Sequence, residues 1–218
     1  MKLLSTKILT QAQREILSNA NIEVIEYDAI SIEILDFDDE IIADNAIISS
    51  QNAVKAILNS NVVIKNCFCV GEKTKAALEE NGLNVTKMTH YGSELAKHIV
   101  KKHKNEHFWF FCSNIRRMEL PNILAQNNVS LKEVEVYKTS LNTQYISEAY
   151  DAVLFFSPSG IESFTTNNSL ENKAAFCIGH TTAEAVTPYT NNIHTASKPT
   201  IESVLRKAVE QLTSKRPA

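Results

Sequence analysis

A set of short turns carries the residue types from which an anion site can be built. Ser49-Ser50, Gly71 with Thr74, Ser113-Asn114, Ser157-Pro158-Ser159-Gly160, and Gly179 with Thr181-Thr182 each follow an apolar run and lead into a helical pattern. Hydroxyls donate hydrogen bonds, glycine lets a ligand approach the main chain, and a helix start presents free N–H groups. Such turns hold carboxylate or phosphate without needing lysine or arginine. Arg116 or Arg117 adds a guanidinium able to meet a carboxylate with two parallel bonds, although an exposed helix arginine is the commoner fate. Ser, Thr and Gly also cap helices in any α/β fold. One such turn alone reads as a cap; several converging read as a binding surface.

Other chemistries lack their residues. There is no Gly-x-Gly-x-x-Gly, no Walker loop and no Gly-x-Ser-x-Gly elbow. Cys67, Cys69, Cys112 and Cys177 lie in apolar runs and read as small core side chains. The Cys67-x-Cys69 pair has no second pair or nearby histidine to complete a zinc spacing. His90, His180 and His194 are scattered, so neither a metal nor a cofactor is expected. A net charge of −3 argues against a nucleic-acid partner. Lys97 to Lys104, with Lys101-Lys102, reads as a solvated helix end. No signal peptide and no apolar run near the roughly 18 residues of a membrane span is found, which predicts a cytoplasmic protein with no membrane partner.

The turns need a scaffold that brings them to one edge. Strands of four to six apolar residues, such as Phe108 to Cys112 and Val153 to Phe156, alternate with longer helical patterns, which indicates βαβ units and parallel sheets. Thr10, Ser93 and Thr200 stand where helix caps should be, before Gln11 to Leu17, Glu94 to Val100 and Ile201 to Leu212. Gly82 stands where the helix from Thr74 to Asn81 should stop. Ser214 to Ala218 is expected to be a frayed tail.

The chain also repeats itself at a shift of about 107 positions. Ile47 to Val54 falls against Leu154 to Ile161, and Cys69-Val70-Gly71 to Ala76 falls against Cys177-Ile178-Gly179 to Glu184. Lys2 to Thr6 and Phe108 to Ser113 agree more loosely as strands, each followed by a helix and a second strand. The expectation is an α/β protein of two similar lobes, each a parallel sheet flanked by helices. Ile32 to Asp38 and Tyr137 to Asn142 are the extended segments that would cross between them.

In order and spacing, Ser113-Asn114-Ile115-Arg116-Arg117, Val136-Tyr137-Lys138-Thr139, Phe155 to Gly160, and Ile178 to Ala185 resemble the uroporphyrinogen-III synthases, and the likeness covers nearly the whole chain. The resemblance implies one lobe from residues 36 to 138 and another from 1 to 35 with 139 to 218. It also implies a cleft between lobes, lined by the turns, in which carboxylates are held largely by backbone amides. The substrate implied is hydroxymethylbilane, a linear tetrapyrrole with an acetate and a propionate on each ring, turned over by a monomer. Loss of its terminal hydroxyl gives an azafulvene. Attack by the substituted carbon of the last ring gives a spiro intermediate, and fragmentation and reclosure leave that ring inverted. The free bilane closes to the uninverted isomer unaided, so catalysis must chiefly impose conformation.

Tyr137 matches the family's tyrosine, and a phenol of pKa about 10 can donate a hydrogen bond to the departing hydroxyl. Beside this stands the alternative that Tyr137 is a half-buried aromatic ending a strand. Thr74, Thr182, Ser157 and Ser159 match family positions near the substrate. Two departures stand out. Ser49-Ser50-Gln51-Asn52 is neutral where relatives often carry an arginine, and His180 replaces a common proline or asparagine. A two-lobed protein that closes on a small anion without chemistry would share the repeat and the turns. A two-lobed glycosyltransferase would need a nucleotide-sugar site, for which no acidic ribose contact is found.

Overall fold

The computed structural model describes residues 1–214. Of the expected tail only Ser214 is among them, so that expectation lies outside the described residues. The chain runs β1 (Lys2–Ser5), α1 (Gln11–Ser18), β2 (Glu23–Glu26), β3 (Ile30–Ile34), β4 (Ile42–Ile48), α2 (Gln51–Leu58), β5 (Val63–Val70), α3 (Glu72–Glu80) and β6 (Val85–Thr89). It continues through α4 (Gly92–Lys102), β7 (His107–Ser113), α5 (Glu119–Gln126), β8 (Ser130–Leu141) and β9 (Ala152–Phe155). It ends with α6 (Pro158–Asn167), β10 (Ala174–Cys177), α7 (His180–Val186), β11 (Ile193–Thr195) and α8 (Ile201–Thr213).

Contacts divide the chain into two compact units, Met1–Ser31 with Ser140–Ala218, and Ile32–Thr139. The first unit holds a five-stranded sheet in the order β11-β10-β9-β1-β2, with parallel neighbours throughout. Its inner strands β9 and β10 are apolar without alternation because both faces are covered. Leu3 packs on one side with α1 and α8, through Leu17, Val204 and Leu205. Leu4, Val153 and Phe155 pack on the other with α6 and α7, through Ile161, Phe164 and Val186.

The second unit holds the order β3-β8-β7-β4-β5-β6. Apart from β3 it reproduces the first unit strand for strand, and its helices α2 and α3 cover one face while α4 and α5 cover the other. The repeat seen in the sequence is therefore a repeat of topology. At the added edge, Asn142 N–H donates to Ala29 O at 2.9 Å and Leu35 N–H to Val136 O at 3.1 Å. One residue number rises as the other falls, so β3 runs antiparallel to β8. Both passages of the chain between units lie inside these two paired strands.

Capping follows the local sequence in two of three expected places. Thr10 makes a capping box with Gln13, and Thr200 Oγ accepts from Ser203 N–H. Ser93 is not a cap, because α4 starts one residue before it, at Gly92 after Tyr91. Gly82 lies just past α3 with φ +77°, the left-handed conformation that closes a helix.

Candidate functional site

In an open parallel sheet, ligands gather beyond the strand carboxyl ends at the place where successive connections leave in opposite directions. In the second unit that place lies between β4 and β7. Residues Ser49 and Ser50 follow the first strand, and Ser113 with Asn114 closes and follows the second. Ser50 is a true cap, its Oγ accepting from Asn52 N–H at 3.1 Å. Ser113 is buried, and a bulge after Cys112 sets it opposite Tyr137 instead of Val136. Asn114 accepts from Thr139 N–H at 2.8 Å and donates to Thr139 O at 3.3 Å.

Tyr137 is 9% exposed and sits within β8 rather than at its end, a member of the core cluster that also holds Ile48, Val54, Cys69 and Phe111. Next along, Gly71 caps α3 at φ +91°, a backbone conformation that disfavours any side chain, and its N–H donates to Thr89 O at 2.9 Å. Thr74 is buried three residues on.

In the first unit the reversal lies between β1 and β9. Ser157 caps α6, its Oγ accepting from Gly160 N–H at 3.0 Å, with Pro158 at the first helical position. A Cβ on Gly160 would meet Ser157 Oγ at 3.3 Å and Thr6 Oγ1 at 3.5 Å, so β1 and α6 close on each other here. Thr6 Oγ1 donates to Leu154 O at 2.8 Å. Gly179 precedes α7 in extended backbone, with nothing within 4 Å of the Cβ it lacks. The two Gly-x-x-Thr turns are thus not alike: one needs glycine for its backbone, the other does not.

Hydrogen bonding separates caps from open groups. Ser50 and Ser157 are engaged as caps, whereas Ser49, Thr74, Ser113, Ser159, Thr181 and Thr182 make no side-chain hydrogen bond to another described residue. Elsewhere hydroxyls find local carbonyls, as Thr165, Thr166 and Thr187 do. An unengaged hydroxyl at a strand end can serve a ligand.

Charge is arranged differently. Arg116 meets Glu133 through Nε and Glu135 through Nη1, the latter at 3.1 Å, and is thereby compensated inside the chain. Burial pushes the Cys67, Cys112 and Cys177 thiols up to about 12 and Cys69 up to about 11, which removes them as nucleophiles. Among the described residues no group of His, Cys, Asp and Glu could hold a metal ion. Among the described residues no helix is long and apolar enough to cross a membrane.

The end of β1, with Thr6 and Lys7, adds polar groups beyond those expected from the sequence. The shift that aligned the other turns also sets Thr6 on Ser113 and Lys7 on Asn114, and that signal was available.

Two α/β units of one topology, each with polar groups beyond the carboxyl ends of its central strands, define a duplicated doubly wound protein. The family model described as uroporphyrinogen-III synthase HemD matches residues 11–206. The chain belongs to that family. A porphyrin biosynthesis protein HemD from Ruminiclostridium josui is 33% identical over 159 residues. That match takes in 65% of this chain but only 31% of the relative, so the chain spans less than a third of its length. The fold also matches crystal structures of uroporphyrinogen-III synthetase from Helicobacter pylori (TM-score 0.67, 19% identity, 96% of this chain and 99% of that one). A mutant uroporphyrinogen III synthase from Thermus thermophilus superposes with TM-score 0.75 at 12% identity, over 99% of this chain and 100% of that one.

Proposed function

We propose that the chain is a uroporphyrinogen-III synthase, cyclising hydroxymethylbilane with inversion of the last ring and loss of water, without metal or cofactor. The observation that carries the reading is the family match over residues 11–206. The strand ends support it chemically. A substrate with a carboxylate on every arm needs many hydrogen-bond donors, and Ser49, Thr74, Ser113, Ser159, Thr181 and Thr182 are hydroxyls without a hydrogen-bond partner among the described residues. The amides that open α3 and α6 add donors that favour negative charge.

In this reading the bilane loses its terminal hydroxyl, and the protein's main work is to hold the last ring so that its substituted carbon attacks. Tyr137 is the proposed hydrogen-bond donor to the departing hydroxyl, paired from within β8 with Ser113, the last residue of β7. Its small exposure makes the ring a wall of the unit's core as well. The proposal places the enzyme in the cytoplasm as a monomer with no nucleic-acid or membrane partner; free buried cysteines and an acidic charge of −3 favour it. The test is genetic complementation: a bacterium lacking its own synthase should grow without added haem when it expresses this chain. Failure to grow with soluble protein present contradicts the reading.

A further inference from the structure

The repeat places two different residues at one topological position, directly after the hydroxyl that ends or follows the inner strand at the reversal. In the second unit that residue is Asn114, whose amide is closed on the Thr139 main chain. In the first unit it is Lys7. Its main chain is held, the carbonyl accepting from Ser5 Oγ at 2.5 Å. Its side chain is exposed, and its ammonium forms no ion pair with a described carboxylate.

The acids at the neighbouring end of β2 do not answer it. Glu26 accepts from Leu9 N–H and pairs with Arg14 at 2.7 Å, and Asp28 accepts from Ile8 N–H at 3.1 Å. Arg116, the cation expected at the strand ends of the other unit, is neutralised by Glu133 and Glu135. Lys75 is likewise paired, with Glu79 at 3.8 Å. Lys7 is therefore a positive charge on the loop at the strand reversal, directly after Thr6, which itself approaches Gly160, and its ammonium is unpaired among the described residues. A held, uncompensated cation at such a place is a binding group for an anion.

We propose that Lys7 is a carboxylate anchor of the first unit, taking one acetate or propionate arm of the tetrapyrrole; this rests on the synthase reading for the identity of the ligand. The anchor binds ground state and transition state alike, so it acts on KM more than on kcat.

The test compares wild type, K7R, K7Q and K7E in two assays. The first is turnover of hydroxymethylbilane generated in situ, with the porphyrin isomers separated. The second is binding of uroporphyrin III, followed by fluorescence at low and high salt. K7Q should raise KM about tenfold with kcat within about twofold, and weaken uroporphyrin binding by a similar factor. K7R should restore both, K7E should be worse than K7Q, and the salt dependence of binding should fall in K7Q. Thermal midpoints should stay together, since the exposed side chain makes no hydrogen bond or ion pair with a described residue. Unchanged KM and binding in K7Q, a fall in kcat alone, or K7E equal to wild type overturns the anchor. Wild type that makes no type III isomer but binds uroporphyrin in a Lys7-dependent way overturns the synthase reading and leaves the anchor standing. Wild type that binds no uroporphyrin overturns the anchor.

Discussion

Asn114 grips Thr139 through both ends of its amide, accepting the Thr139 N–H at 2.8 Å and donating to the Thr139 carbonyl at 3.3 Å. This closes the end of β7 against β8 one residue before the chain passes to the other unit at 139/140. Asn114 is thereby occupied as a brace. N114A should cost about 1–2 kcal/mol in urea unfolding, the worth of two partly buried hydrogen bonds. N114D, which keeps the acceptor, should cost less. Equal stability of all three proteins would show that the brace carries no energy.

The two glycine turns separate stability from binding. At Gly71 the φ of +91° disfavours a side chain, so G71A should lose about 1–2 kcal/mol. At Gly179 the backbone is extended and the space is open, so G179A should unfold like wild type. If that open space receives substrate, G179A raises KM while its thermal midpoint stays put. Matched losses of stability in both variants would refute the distinction.

Arg116 is expected to be dispensable for substrate. R116M removes a partly exposed pair with Glu133 and Glu135, for which a loss below about 1 kcal/mol is expected. KM should change less than threefold. A tenfold rise would mean that the guanidinium leaves its carboxylates to meet the bilane.

For the four cysteines, burial raises the thiol pKa from 9.0 to about 12 for Cys67, Cys112 and Cys177 and to about 11 for Cys69. Folding favours the protonated thiol, so this stability is whole below pH 9, where the unfolded thiols still hold their protons. Above pH 9 the unfolded chain releases protons that the folded chain keeps, and stability falls towards pH 12. Alkylation with iodoacetamide at pH 8 should be far slower in the folded protein than in urea. Four fast-reacting thiols in the native state would contradict the burial.

Tyr137 tests the acid step. A positioned donor is worth about 10²–10⁴-fold at most, and the bilane loses hydroxide unaided, so Y137F should be impaired without being dead. Type III isomer formed at the wild-type rate would leave Tyr137 with only its packing role against Ile48 and Phe111.

Much of the architecture was legible because strand and helix periods are local. The shift that aligned Ile47 to Val54 with Leu154 to Ile161 also aligns the strands, helices and sheet orders of the two units. Pairing of β3 with β8 was not legible, since an extended segment such as Ile32 to Asp38 does not name its partner. Ser93 misled for a local reason, as Tyr91 and Gly92 begin α4 before it. At the candidate site the sequence marks which turns carry hydroxyls. It does not tell that Ser50 and Ser157 are engaged as caps while Ser49, Ser159 and Thr182 are left open, because that depends on where neighbouring N–H groups and carbonyls come to rest. Thr6 and Lys7 escaped notice for want of a glycine or serine run to draw the eye.

Isomer analysis of the product distinguishes a synthase from a binding protein in one experiment. Purified protein is added, without metal or cofactor, to hydroxymethylbilane generated in situ, and the products are oxidised and separated by chromatography. A clear excess of the type III porphyrin over the spontaneous type I background is expected of a synthase. Type I alone, with folded protein and competent bilane in the same tube, contradicts it.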